Sequence, residues 1–220
     1  MERWDSLSFS ATALDGYAIC PVQSAQAQAA YSDLLKTTYA KLGFLEPNSE
    51  FEIVSPNATR FLLHYEAEHI GMYGLREVPS EHAHYAQWVP GFAGSQDRAL
   101  EVHNFILTQA HRGQIGRVLM LHHAVGYALE HGYAYLVGIA RYSALKFFVD
   151  AGAVPVYHPP LHLLGKSDLR DFVMYFDLRQ PGDVDYLQQR AERLIHQICV
   201  LHALKTDFLS PQKRRRPRHS

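Results

Sequence analysis

Apolar and polar positions alternate along this chain in two rhythms, and each change of rhythm marks a change of element. Tyr17 to Val22 has the length and make-up of a short strand. Ser24 then stands where a helix N-cap is expected, and Ala27, Tyr31, Leu34, Leu35 and Leu42 fall roughly on one face of the helix that follows. Gly43 closes that helix, as glycine does where a left-handed turn is needed. Phe61 to Glu66 and His69 to Val78 are strand-like runs separated by Ala67 and Glu68, which predicts a β-hairpin. Leu100 to Leu107 reads as the next strand, Arg117 to His131 as a helix, and Tyr133 to Ile139 as a nearly continuous apolar strand. Tyr142 to Asp150 forms a short helix stopped by Gly152. Val154 to Tyr157 and Phe172 to Leu178 complete the strands, with Pro159 and Pro160 between them. This order predicts an α/β (α+β) domain with a mixed sheet and helices on both faces.

Two stretches fall outside these rhythms. Pro79 to Arg98 is long, irregular and rich in His, Tyr, Pro and Gly, and loops of that length in a domain usually serve function or move. After Pro181 and Gly182, Asp183 caps a helical pattern in which Val184, Leu187, Ala191, Leu194, Ile198 and Leu201 form an apolar seam. The expected organisation is therefore a domain over 1–180, an amphipathic C-terminal helix over 181–210 and a tail over 211–220. The seam is expected to pack on its own domain, with a homodimer through this helix as the alternative. The tail, with Lys213, Arg214, Arg215, Arg216 and Arg218, reads as a solvated, disordered charge run.

Composition narrows the class. At 220 residues and 47% hydrophobic, the chain can bury one sizeable core, while two full domains would be cramped. Lys and Arg total 21 against 22 Asp and Glu, so no overall charge draws the molecule to nucleic acid or membrane. Cys20 and Cys199 fit neither a metal nor a redox spacing, which favours a reducing compartment. The first residues lack a signal-peptide core and no stretch has the length of a membrane span, so a cytoplasmic protein is expected. The histidine pairs His82/His84, His122/His123 and His158/His162 lack zinc-site partners, and no metal is expected.

Candidate chemistry concentrates where the Leu100–Leu107 strand meets the following helix. The turn His111, Arg112, Gly113, Gln114, Ile115, Gly116, Arg117 combines a helix N-terminus with flanking arginines. Unpaired backbone N–H groups and the helix dipole there make a seat for a phosphate-bearing ligand. The dinucleotide glycine fingerprint and the P-loop lysine signature are both missing, which removes the common nucleotide readings.

The element order and the Arg112-Gly113-Gln114-Ile115-Gly116 turn resemble the GNAT superfamily of N-acyltransferases, whose signature there is Gln/Arg-x-x-Gly-x-Gly/Ala. Ile115 stands where the middle glycine is expected, or the loop is one residue shorter. Ala144 to Gly152 resembles the superfamily's helix ending in Tyr-x-x-x-Gly-Phe, and Phe148 takes the position of the tyrosine often used as general acid. Gly71 to Ser80, with Arg76 and Pro79, is similar to the Arg-x-x-Pro-Thr stretch of acyl-homoserine-lactone synthases. Glu101-Val102-His103-Asn104-Phe105 is similar to their Glu-x-Ser-Arg-Phe, with His103 and Asn104 replacing the Ser-Arg pair. Long-chain N-acyl amino acid synthases, which use acyl-carrier-protein donors, are similar to the same degree.

The resemblance implies a GNAT-like, mostly antiparallel twisted sheet. It implies an N-acyltransferase that moves an acyl group from acyl-CoA or an acyl-phosphopantetheine carrier protein to a small amine, such as an amino acid. The thioester is a co-substrate, and no bound cofactor is expected. A catalytically silent binding domain of this fold and an autoinducer-synthase-like enzyme are the alternatives. Acyl transfer to an amine needs a seat for the donor phosphate, a base for the amine and donors for the tetrahedral oxyanion. The turn from His111 to Arg117 is assigned the first. Glu101 is the preferred base, because it sits among apolar residues, with His103 as alternative or partner. Period-2 alternation puts Glu101, His103, Phe105 and Leu107 on one face of the strand and Val102, Asn104 and Ile106 on the other. Backbone groups near Phe105, Ile106 and Leu107 are expected to receive the donor if this strand splays from its neighbour. Arg76, Trp88, Tyr142 and Phe148 are expected to line the substrate pocket, with Tyr85 and Phe92 adding apolar surface.

Overall fold

The computed structural model describes residues 16–43, 57–78, 89–92, 95–111, 115–156 and 171–179. Strand β1 (Tyr17–Pro21) leads into helix α1 (Ala25–Lys41), and a hairpin of β2 (Thr59–Tyr65) and β3 (Glu68–Val78) follows. Then come β4 (Ala99–Leu107), α2 (Gly116–Glu130), β5 (Tyr135–Arg141), α3 (Tyr142–Asp150), β6 (Val154–Pro155) and β7 (Asp171–Asp177). The strands form one seven-stranded sheet in the order β1-β2-β3-β4-β5-β7-β6. Every neighbouring pair is antiparallel except β4 and β5, which run parallel. The mixed, mostly antiparallel architecture is the one expected. The C-terminal helix, the basic tail, Tyr85 and Trp88 lie outside the described residues.

Local chemistry explains the element ends. The Ser24 hydroxyl accepts a hydrogen bond from the Ala27 amide at 3.1 Å and caps α1. The hairpin turns at Glu66 and Ala67, one residue earlier than expected, with Glu66 in the left-handed region at φ 52°. Strand β5 begins two residues later than its apolar run. Tyr133 is instead spent on ending α2: its amide reaches the Ala128 carbonyl at 2.9 Å while Gly132, at φ 70°, bonds Leu129. That pair of bonds is the Schellman closure, and Gly152 and Ala153 repeat it at the end of α3.

The sheet's two faces are covered unequally. Helices α2 and α3 lie on one face, where Phe61, Leu63, Tyr73, Leu100, Met120 and Ala124 join the main core. Helix α1 lies on the other face and fully buries only Tyr31 and Leu35, against Leu62 and Met72. Two such side chains contribute about 1.5–3 kcal/mol each, so α1 is lightly held. Farther along the α1 face, Val89 and Phe92 are buried against Tyr135 and Val173. Phe92 thus belongs to the core and not to a substrate pocket, which corrects that expectation for the described part of the loop.

Candidate active site

Strand β4 changes character half-way along. Its first half pairs with β3 on one side and β5 on the other, but pairing with β5 covers only Ala99 to Val102, opposite Tyr135 to Gly138. Beyond that point β5 continues along β7 as far as Arg141 and leaves β4. The cause lies in β4 itself. Gly74 pairs with His103 and Met72 with Ile106, so Tyr73 alone faces both Asn104 and Phe105. This is a β-bulge, and Asn104 occupies it at φ 51°, a conformation that asparagine tolerates better than most residues. A bulge adds local twist, and here it turns the end of β4 away from its neighbour.

The bulge overturns the expected alternation. Glu101 and His103 share the α1 face with Ile106, while Phe105 and Leu107 pass to the α2/α3 face and join the main core. Strict period-2 counting fails because the extra residue shifts every later side chain to the opposite face.

Where β4 and β5 part, a cavity of about 490 Å³ opens through the sheet. On the α2/α3 side its wall is mostly apolar, with Leu121, Phe147, Phe148, Met174 and Phe176, interrupted by Arg117 and Ser143. On the α1 side it is polar, with Thr38, Tyr39, His103, Asn104 and Arg141. Tyr39 donates a hydrogen bond to Asn104 Oδ1 at 3.1 Å, so the last turn of α1 is tied to the bulge. Burial pushes the Tyr39 hydroxyl up from the usual tyrosine range, and it stays protonated at neutral pH.

His103 lies flat over Gly74: a Cβ at that glycine would sit 2.3 Å from the imidazole Cε1. Only glycine lets the ring settle there. Burial, the largest influence, lowers the His103 pKa to about 4. Its Nε2 is buried with no hydrogen-bond partner among the described residues. Glu101 sits behind it, 8% exposed, and does not line the cavity. Arg76 Nε donates to Glu101 Oε2 at 2.9 Å, and Nη2 donates to the same oxygen. The purely apolar setting expected for Glu101 is therefore corrected by a cross-strand arginine. Arg76 is engaged by that carboxylate and is likewise absent from the cavity wall.

The structure brings together His103, Phe105, Ile106, Leu107, Arg117 and Phe148 around one cavity. Phe148 is edge-on to Phe105, with ring centroids 5.4 Å apart, and 7% exposed. Ile115 is buried at the start of α2, where no side chain caps the helix. Gly116 lets that helix approach β4, since a Cβ there would lie 2.9 Å from Leu63 Cδ2 and 3.0 Å from Leu107 Cδ1. His111 bonds Thr108 through Nδ1 at 2.9 Å. Arg112, Gly113 and Gln114 lie outside the described residues. Tyr142 is not in the pocket: it is 72% exposed beside Phe172. The first residue of α3 points outward while Phe148, six residues on, points in.

Sequence reasoning passed over Tyr39, Asn104 and Arg141. A signal for the first existed: Tyr31, Leu35 and Tyr39 recur every four residues on one helix face. Among the described residues no cluster of three His, Cys, Asp or Glu side chains is arranged to hold a metal. Nor is any helix among them long and apolar enough to cross a membrane.

No family model matches this chain, and no curated protein matches it in sequence. Solved structures do. One is FeeM, an N-acyl amino acid synthase from uncultured soil microbes, 15% identical with a TM-score of 0.59, covering 74% of this chain and 92% of its own. The CoA-dependent acyl-homoserine lactone synthase BjaI is 16% identical with a TM-score of 0.54, over 80% of this chain and 90% of its own. The spermidine N-acetyltransferase of Vibrio cholerae, in complex with CoA and spermine, is 14% identical with a TM-score of 0.55, over 74% and 96%. The fold is the GNAT fold. At these identities the likeness is one of architecture. The side chains that line the cleft are this chain's own.

Proposed function

We propose that this protein is an N-acyltransferase that takes an acyl group from a thioester donor and places it on an amine. The observation that carries the reading is the parting of β4 from β5 after Val102, with a cavity through the gap that is apolar at one end and polar at the other. A sheet interrupted in this way leaves backbone donors around Phe105 and Ile106 without a β5 partner strand, available to a thioester carbonyl and to the oxyanion it becomes. The apolar wall of Phe148, Leu121, Met174 and Phe176 suits a hydrocarbon acyl group, which gains about 0.8 kcal/mol per buried methylene. The polar wall on the α1 side suits the amine. The first turn of α2, with Arg117 on the cavity wall and Arg112 before it, takes the donor's phosphate. The solved neighbours that share this fold act on amines with acyl donors, which supports the same class of reaction here. Acyl-CoA is the preferred donor because BjaI is CoA-dependent and the spermidine enzyme is complexed with CoA.

The absence of a hydroxyl at Phe148 favours a second reading, a GNAT domain that binds acyl thioesters without turning them over. Thiol release from a series of acyl-CoA donors of increasing chain length, with a panel of amines and amino acids, separates the two. Amine-dependent thiol release with formation of the N-acyl product is expected. Saturable donor binding with no amine-dependent release would leave only the binding domain.

A further inference from the structure

The acyl-transfer reading, on which this inference rests, leaves open which amines fit the polar end of the cleft. His103 follows Val102, the last residue of β4 that pairs with β5. On the α1 face its side chain therefore has a choice of staggered positions, over β3 or over the gap. It takes the first. Gly74 is its partner on β3, and a Cβ added there would fall within 3.1 Å of the ring atoms Cε1, Nε2 and Nδ1. Across Gly74 on β2, Arg60 bounds the far side of this hollow and donates a hydrogen bond to Gln28 of α1 at 2.8 Å. Gly74 does not have a left-handed backbone, so the imidazole is what a side chain at this position would meet.

We infer that Gly74 and His103 together set the size of amine that this protein accepts. The missing side chain at Gly74 holds the imidazole out of the gap between β4 and β5, and the bulk of that ring bounds the acceptor end of the cavity. The ring is suited to this part. Its Nε2 meets no hydrogen-bond partner among the described residues, so packing against Gly74 is what keeps it in place. It stays neutral down to about pH 4, and so acts on a neutral amine by its volume and not by its charge. A methyl group at Gly74 closes the hollow and leaves the ring the space above the gap, where β4 has no β5 partner. Removing the ring does the opposite, adding the hollow over β3 to the acceptor end. The neighbouring wall is fixed differently, since Tyr39 and Asn104 are hydrogen-bonded to each other.

The test compares wild type, Gly74→Ala, His103→Ala and the double variant, using one acyl-CoA and primary amines graded in size from methylamine to phenethylamine. Melting curves check the fold, and calorimetry with the acyl-CoA checks donor binding. In Gly74→Ala, kcat/KM for the amines is expected to fall at least about tenfold, most for phenethylamine, with donor affinity unchanged. In His103→Ala the ratio of kcat/KM for phenethylamine to that for methylamine should rise roughly 10–200-fold. The double variant has a methyl group in the hollow and no ring to displace, so it should recover most of what Gly74→Ala loses. Should Gly74→Ala fail to fold, the double variant must still fold and transfer. A double variant no better than Gly74→Ala, or a uniform loss on every amine in His103→Ala, overturns the inference. So does an amine ratio that is the same in all four proteins. A wild type inactive with every amine overturns the acyl-transfer reading and this inference with it, a result distinct from a working wild type whose variants keep its amine ratio.

Discussion

His123 and His103 lie on opposite faces of one sheet, and each is lowered to a pKa of about 4 chiefly by burial. Their surroundings differ. On the α2/α3 face His123 Nδ1 meets the Tyr73 hydroxyl at 2.5 Å, and Phe61 stacks on Tyr73. On the α1 face His103 Nε2 meets no partner among the described residues, and the ring borders a cavity. A buried polar group that finds a partner adds to the fold; one left open beside a cavity costs stability that function has to justify. The same contrast runs through β4, whose first half is held on both sides and whose second half is released.

The largest effect expected from breaking this contrast comes at Phe148, which belongs to both regions. Phe148→Ala removes an aromatic side chain from the main core, and urea unfolding should report a loss of about 3–5 kcal/mol. A loss below about 1 kcal/mol would mean the ring is pocket wall and not core.

Acid should weaken both faces. Each histidine's folded-state pKa, about 4, lies below its unfolded value of 6.5, so the unfolded chain takes up protons first as pH falls. Stability from these two groups is complete above about pH 6.5, declines toward pH 4 and is lost below it. Each group accounts for roughly 2–4 kcal/mol over that window. Denaturation midpoints at pH 7, 5.5 and 4.5 test this, and His123→Gln or His103→Gln should each flatten the curve. An unchanged slope in both variants would assign the acid sensitivity elsewhere.

Tyr73 and Tyr39 sharpen the comparison by offering the same substitution on the two faces. Tyr73→Phe leaves His123 Nδ1 buried without its partner and should cost about 1–3 kcal/mol with turnover retained. Tyr39→Phe unties the last turn of α1 from the bulge at Asn104 and should change turnover with a smaller loss of stability, because Tyr39 lines the cavity. Similar stability losses and similar activities for the two variants would erase the distinction between the faces.

The smallest change in stability is expected at Asn104→Gly, because glycine accepts φ 51° more easily than asparagine. Its stability should stay within about 1 kcal/mol of wild type while turnover drops with the loss of the Tyr39 acceptor.

Element order, the Ser24 cap and the short helix Tyr142–Asp150 could be read from the chain, because caps, glycine stops and apolar spacing act over a few residues. The resemblance to the GNAT architecture was legible for the same reason. The cavity was legible only in part. Phe105, Ile106, Leu107, Arg117 and Phe148 line it as the sequence predicts, while Glu101 and Arg76 meet each other across two strands and are absent from the wall.

Local sequence determined which strands and helices form, in what order, and which glycines end the helices, since those outcomes depend on neighbours along the chain. Tertiary structure alone decided that β4 bulges at Asn104, that Phe105 and Leu107 change faces, and that Tyr39 arrives at the gap 65 residues away along the chain. A one-residue register shift changes no local propensity, yet it moves every later side chain across the sheet. Only the pairing with Tyr73 and Gly74 could select it.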